Sequence, residues 1–211
     1  MYRISGLQMH GKYMSKLAVI FPGIGYHKDK PLLYYGVRIA RNRGHEIKYI
    51  EYHDMPGKLQ GDAKMMREAV EIGYRQAEEI LAGVEFDAYE EILLIGKSIG
   101  TVIASQFAKE HKLHCRQIWY TPVEATFMFD SGDTNELTGK NEITERKDVI
   151  SFIGDNDPWS KLEDVKKLVA EHKIPLHLYE DCNHSLECGE TVRDIATLKD
   201  VMEKTEHFLE D

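Results

Sequence analysis

The chain has 211 residues, 42% of them hydrophobic, and a formal net charge of −9. That length and apolar fraction predict one compact domain with a buried core, while the acidic balance argues against nucleic acid or an anionic membrane as partner, since both require a concentrated basic surface. No apolar run approaches the roughly 18 to 20 residues of a membrane-spanning helix and the N-terminus lacks the order of a secretion signal, so a soluble, cytoplasmic protein acting on a small molecule is expected.

Residues 1–15 have weak patterning and read as an extra edge strand or an N-terminal extension, with the main domain over 16–211. Residues 17–21 form a short apolar run stopped by Pro22-Gly23-Ile24-Gly25, the pattern of a strand buried on both faces. A helix over 31–43 starts at Pro31 and stops before Gly44, a second strand covers 45–52, and a long helix over 62–82 is opened by Asp62. Residues 92–95 are a strand ending at Gly96, followed by a helix over 99–112 and a strand over 116–120. Residues 123–147 lose periodicity and read as a loop, a short lid or rim over a pocket. A strand over 149–153, a helix over 160–172, a strand over 176–179 and a closing helix over 191–209 complete the chain.

Strands and helices alternate throughout, which implies right-handed crossovers and an α/β architecture. A mainly parallel sheet lies between helices in a three-layer α/β/α sandwich, with functional residues at the strand C-terminal ends.

Gly96-Lys97-Ser98-Ile99-Gly100 places a Gly-x-Ser-x-Gly pattern between a strand and a helix. Presenting a serine hydroxyl above a sheet strains the backbone, and the flanking positions must lack bulk. The same turn aims a helix N-terminus at the hydroxyl, so the Ile99 amide can stabilise the oxyanion formed when a carbonyl is attacked. Serine needs a base and a group to orient that base. Downstream, Gly154-Asp155-Asn156-Asp157-Pro158 follows one strand and Asn183-His184-Ser185-Leu186 follows the last, giving the order Ser, Asp, His. Among ten histidines, His184 is set apart by this position, and His27 is retained as a substrate contact.

These segments together resemble the α/β-hydrolase superfamily over about residues 16–209. Lys97 and Ile99 within the elbow are similar to those of small bacterial dienelactone-hydrolase-like and esterase-like members. The resemblance implies a minimal hydrolase fold without a large cap domain, and implies Ser98 as nucleophile, His184 as base and Asp157 as the orienting acid. Asp155 is the rival; Asp157 is preferred because the family places its acid three residues after a glycine. It also implies a second oxyanion donor in the first loop, from Ile24 or Gly25, although Pro22 stands where family members often carry histidine. The side chain of Lys97 is expected to point away from the reacting carbonyl.

Tyr26, Phe127 and Trp159 are candidate substrate-binding residues, with Met128 and Phe129 as further apolar lining. Gly23 and Gly25 could begin a dinucleotide fingerprint, but Lys28 occupies its third glycine position, and Glu91 stands where a phosphate loop would need glycine before Gly96-Lys97-Ser98. Cys115, Cys182 and Cys188 contain no Cys-x-x-Cys pair, which fits a reducing compartment, and no metal-ligand spacing is present. No cofactor is therefore expected. The readings that follow are a serine hydrolase of the carboxylesterase type cleaving a small ester, or a non-catalytic member of the fold binding a small ligand or protein. The oligomeric state is left open by the sequence.

Overall fold

The strand periodicity is resolved in a computed structural model that describes residues 15–57, 59–130 and 146–210. Strand β1 (Ser15–Phe21) alternates its side chains between two apolar layers: Leu17, Val19 and Phe21 face one core, Ala18 and Ile20 the other. Strand β3 (Tyr89–Lys97) does the same with Ile92 and Leu94 against Leu93 and Ile95. Because both faces are covered, an unbroken apolar run is what such strands require.

Six strands form one parallel sheet in the order β2-β1-β3-β4-β5-β6, where β2 is His45–Tyr49, β4 Arg116–Tyr120, β5 Val149–Gly154 and β6 Leu176–Tyr179. Helices α1 (Pro31–Asn42) and α6 (Thr191–Phe208) cover one face. Helices α2 (Ala63–Leu81), α3 (Ile99–Glu110) and α5 (Leu162–Glu171) cover the other. Pro31 opens α1, and the Asp62 carboxylate caps α2 by accepting from the amides of Lys64 and Met65, both at 3.0 Å. Among the described residues no helix is long and apolar enough to cross a membrane.

Three expectations are refined. The second strand stops at Tyr49, three residues short of the expected end, and Ile50 continues only as a single amide bond to the Ile20 carbonyl. Strand β3 extends to both sides of residues 92–95 because β1 pairs with it from Ser15↔Tyr89 to Phe21↔Gly96. The segment 123–147 is not irregular throughout: Thr126–Phe129 form a short helix, α4, packed on α3. Residues 1–14 and 131–145, which carry most of the expected N-terminal extension and of the expected lid, lie outside the described residues.

The strand order places the site. From β1 the chain moves outward to β2 and then returns across β1 to β3, so the loops leaving β1 and β3 diverge and open a crevice at the C-terminal end of the sheet.

Candidate active site

The crevice is occupied by the strand-to-helix turn at Ser98. This residue has φ 55° and ψ −126°, a left-handed conformation that is costly for a side chain and is held by what surrounds it. Its amide donates to the Tyr120 carbonyl at 3.0 Å, and its carbonyl accepts from the Thr101 amide at 2.9 Å and the Thr101 hydroxyl at 2.6 Å. Thr126 of α4 meets that hydroxyl at 2.6 Å, so the short helix braces the turn. The flanking glycines are required by contact. A Cβ on Gly100 would fall 2.1 Å from the Phe21 carbonyl oxygen, and one on Gly96 would fall 2.8 Å from Thr101 Cα.

Three separate loops then converge. The Ser98 hydroxyl lies 2.7 Å from His184 Nε2, and His184 Nδ1 lies 2.7 Å from a carboxylate oxygen of Asp157. This network fits the tautomer in which Nδ1–H donates to Asp157 and Nε2 accepts from Ser98. The other Asp157 oxygen accepts from the Trp159 amide at 2.9 Å. Asp157 is buried whereas its rival Asp155 is exposed, and the amide of Asp155 is committed to the Tyr179 carbonyl. Burial is the main influence on His184 and lowers its pKa; the hydrogen bond to Asp157 opposes this, and the charge of Lys97 adds to the lowering.

The loop bearing His184 is shaped by Asn183, whose side-chain oxygen accepts from the Ser185 amide at 2.7 Å and from the Glu187 amide at 3.3 Å. This loop and the one bearing Asp157 are joined by the Asn156 amide, which donates to the Cys182 carbonyl at 3.0 Å.

The first loop folds into a tight turn in which the Gly23 and Tyr26 amides each donate to the other's carbonyl at 3.2 Å. Gly23 sits directly on the elbow, where a Cβ would come 3.3 Å from that of Ser98. The Gly23 amide is thus engaged. Among the described residues no acceptor is bonded to the Ile24, Gly25 or Ile99 amide. Gly25 has φ 76°, a value that favours glycine, and Ile24 is partly exposed.

The expected substrate contacts separate. Trp159 lies beside the hydrogen-bonded chain of Ser98, His184 and Asp157, its ring 5.7 Å from that of His184. Phe127 is only 3% exposed and packs edge-on to Trp119 and His172 beneath α5, which leaves it no free surface for a ligand. Met128 is exposed beside the C-terminal end of α3, where its carbonyl accepts from Lys109. Tyr26 is buried; its hydroxyl accepts from the Leu32 amide at 3.1 Å and its ring faces the Lys97 ammonium at 4.8 Å. His27 is exposed, and its Nδ1 accepts from the Asp29 amide.

Two features escaped the sequence reading. The close approach of Gly154 to the Cys182 carbonyl, which leaves no room for a Cβ, has no local signature beyond the glycine itself. The complete burial of Lys97 could have been suspected from its place at the end of a strand covered on both faces. Among the described residues no three histidine, cysteine, aspartate or glutamate side chains are grouped as a metal ion would need.

Comparison with known proteins agrees with this architecture. No curated protein matches the chain. Among solved structures, an esterase from Pyrococcus furiosus is 13% identical with a TM-score of 0.60, covering 94% of this chain and 84% of its own. Est1E from Butyrivibrio proteoclasticus, solved with ferulic acid bound, is 14% identical with a TM-score of 0.60, covering 96% and 90%. A serine hydrolase without a lid from Xanthomonas campestris is 11% identical with a TM-score of 0.54, covering 92% and 81%. At these identities the likeness is one of fold. A family model described as an alpha/beta hydrolase domain matches residues 15–210, and the chain therefore belongs to the alpha/beta hydrolase family.

Proposed function

We propose that this protein is a serine hydrolase that cleaves a small carboxylic ester or related acyl substrate through an acyl-serine intermediate. The observation that carries the reading is the continuous relay from the Ser98 hydroxyl through His184 to Asp157, with 2.7 Å at each step. A protein that only binds a ligand has no need of a base and a buried acid that orients it.

In this mechanism His184 Nε2 removes the Ser98 proton as Oγ attacks the substrate carbonyl carbon. Asp157 stabilises the resulting imidazolium and keeps the ring oriented without taking the proton itself. The tetrahedral oxyanion is held by the Ile99 amide at the start of α3 and by the Ile24 or Gly25 amide, the donors with no other acceptor in the turn. Collapse expels the alcohol, which takes its proton from His184. Water then attacks the acyl-serine by the same route, releasing the acid and restoring Ser98. Trp159 forms an apolar wall beside the base, suited to an acyl or aryl group of modest size.

Hydrolysis of p-nitrophenyl acetate and covalent labelling by a fluorophosphonate test the reading. Wild-type protein should turn over the ester and be labelled at Ser98, and Ser98→Ala should retain its circular dichroism spectrum while losing both. A folded wild-type protein that neither labels nor hydrolyses esters across a range of chain lengths would favour the non-catalytic alternative.

A further inference from the structure

Lys97 is the last residue of β3, in register with Tyr120, and it is completely buried on the α1 and α6 face of the sheet. Its ammonium has no hydrogen-bond partner among the described residues and rests over the face of the Tyr26 ring at 4.8 Å. Burying an amine in this way is expensive, and a methionine would fill the same elongated space without the cost. A position that breaks the rules of core composition beside a reactive site calls for a role there.

The groups that face it are few. Tyr26 comes from the loop after β1 and Tyr120 from β4; burial pushes the Tyr26 hydroxyl up to about 12 and that of Tyr120 higher still, so both remain neutral near pH 7. Glu187 bears electrostatically on Tyr26 rather than on the amine. The remaining groups are Asp157, whose charge favours the ammonium, and His184, whose imidazolium the ammonium opposes.

We propose that Lys97 is a positioning residue of this site, a buried amine, unpartnered among the described residues and seated on the Tyr26 ring beside Ser98 in the chain, that acts through space on Asp157 and His184 and opposes a positive charge on the His184 imidazole. The proposal rests on the serine-nucleophile reading above. Desolvation lowers the Lys97 pKa to about 7, so the amine titrates just where a catalytic histidine would begin to charge. Once protonated, it discourages a second positive charge on His184, and the base stays able to accept the Ser98 proton in more acidic solution. The two groups form one coupled system rather than two independent ones.

The test follows the NMR signals of the His184 imidazole and the Lys97 Cε in apo protein as the pH is lowered. In wild-type protein the His184 signals should move in two steps, the upper one coinciding with the titration of Lys97. In Lys97→Met the upper step should vanish, and His184 should bind its proton at least about threefold more tightly. A single-step His184 titration in wild type, or one unchanged in Lys97→Met, overturns the proposal. The wild-type measurement decides the matter even if the variant does not fold. Failure of Ser98 labelling would remove the serine reading while leaving the coupling measurable, and labelling with single-step titration would do the reverse.

Discussion

A Cβ built on Gly154 would lie 2.0 Å from the carbonyl oxygen of Cys182. The strand end that leads to Asp157 and the loop that carries His184 are therefore in backbone contact, and the distance between the Asp157 carboxylate and the His184 imidazole depends on there being no side chain at residue 154. Gly154→Ala must push the two loops apart, because backbone atoms cannot rotate away as a side chain can. The expected result is a loss of about 2 kcal/mol or more, from overpacking, together with a sharp fall in fluorophosphonate labelling of Ser98. Thermal unfolding and labelling rates measured on the same preparation check both halves.

The two aspartates of the β5 loop should respond unequally. Asp157→Asn keeps the shape but presents an amide that no longer accepts from both His184 and the Trp159 amide in the same way, favouring the wrong imidazole tautomer. A fall in kcat of about 10³- to 10⁴-fold is expected from the loss of orientation and imidazolium stabilisation. Asp155→Asn, on an exposed side chain, should stay within about threefold of wild type. Steady-state kinetics on a p-nitrophenyl ester distinguishes them, and equal losses would reassign the acid.

The buried amine at residue 97 has a consequence for stability whose sign follows from its proton affinity. In the folded chain its pKa is lowered to about 7, below the ordinary lysine value of 10.5 that the unfolded chain recovers. Between those values the unfolded state binds the extra proton, so this group's contribution to stability rises with pH across the window and is least favourable below pH 7. Lys97→Met should therefore raise Tm by about 5 °C or more at pH 7, with a gain that shrinks toward pH 10. Calorimetry at the two pH values checks the trend; a gain that is equal at both would place the amine in contact with water.

Asp130 and Arg146 form a buried ion pair in which the single nitrogen Nη1 of Arg146 lies 2.7 and 2.6 Å from the two carboxylate oxygens of Asp130. Asp130 also meets His172 Nδ1 at 2.6 Å, and Arg146 donates to Asp148. These residues lie where α3 and α5 end, opposite the end of the sheet at which α3 begins with the elbow. Asp130→Ala should cost about 3 kcal/mol by leaving a buried guanidinium with one partner fewer, yet leave Ser98 labelling at 20 °C within about twofold. A large loss of labelling below the unfolding transition would instead tie this ion pair to the site.

Much of the architecture was legible in the sequence because its signals are local. An apolar run such as residues 17–21 is what a strand buried on both faces must have, Pro31 and Asp62 mark helix starts, and the glycines around Ser98 announce a turn in which side chains do not fit. The order of Ser98, Asp157 and His184 along the chain pointed to the same end of a parallel sheet. What local pattern could not supply was the choice between neighbours. Asp155 and Asp157 occupy the same loop two residues apart; only the family resemblance, through the spacing from Gly154, favoured Asp157, and the burial of that side chain and its 2.7 Å bond to His184 give the choice its physical basis. Phe127 and Trp159 have similar apolar character, yet one fills the space under α5 and the other stands beside the imidazole. Hydrophobicity says that a side chain leaves water without saying which neighbour it meets, and Lys97, charged in sequence but sealed beneath the elbow, shows how far packing among distant segments can set the chemistry of a residue.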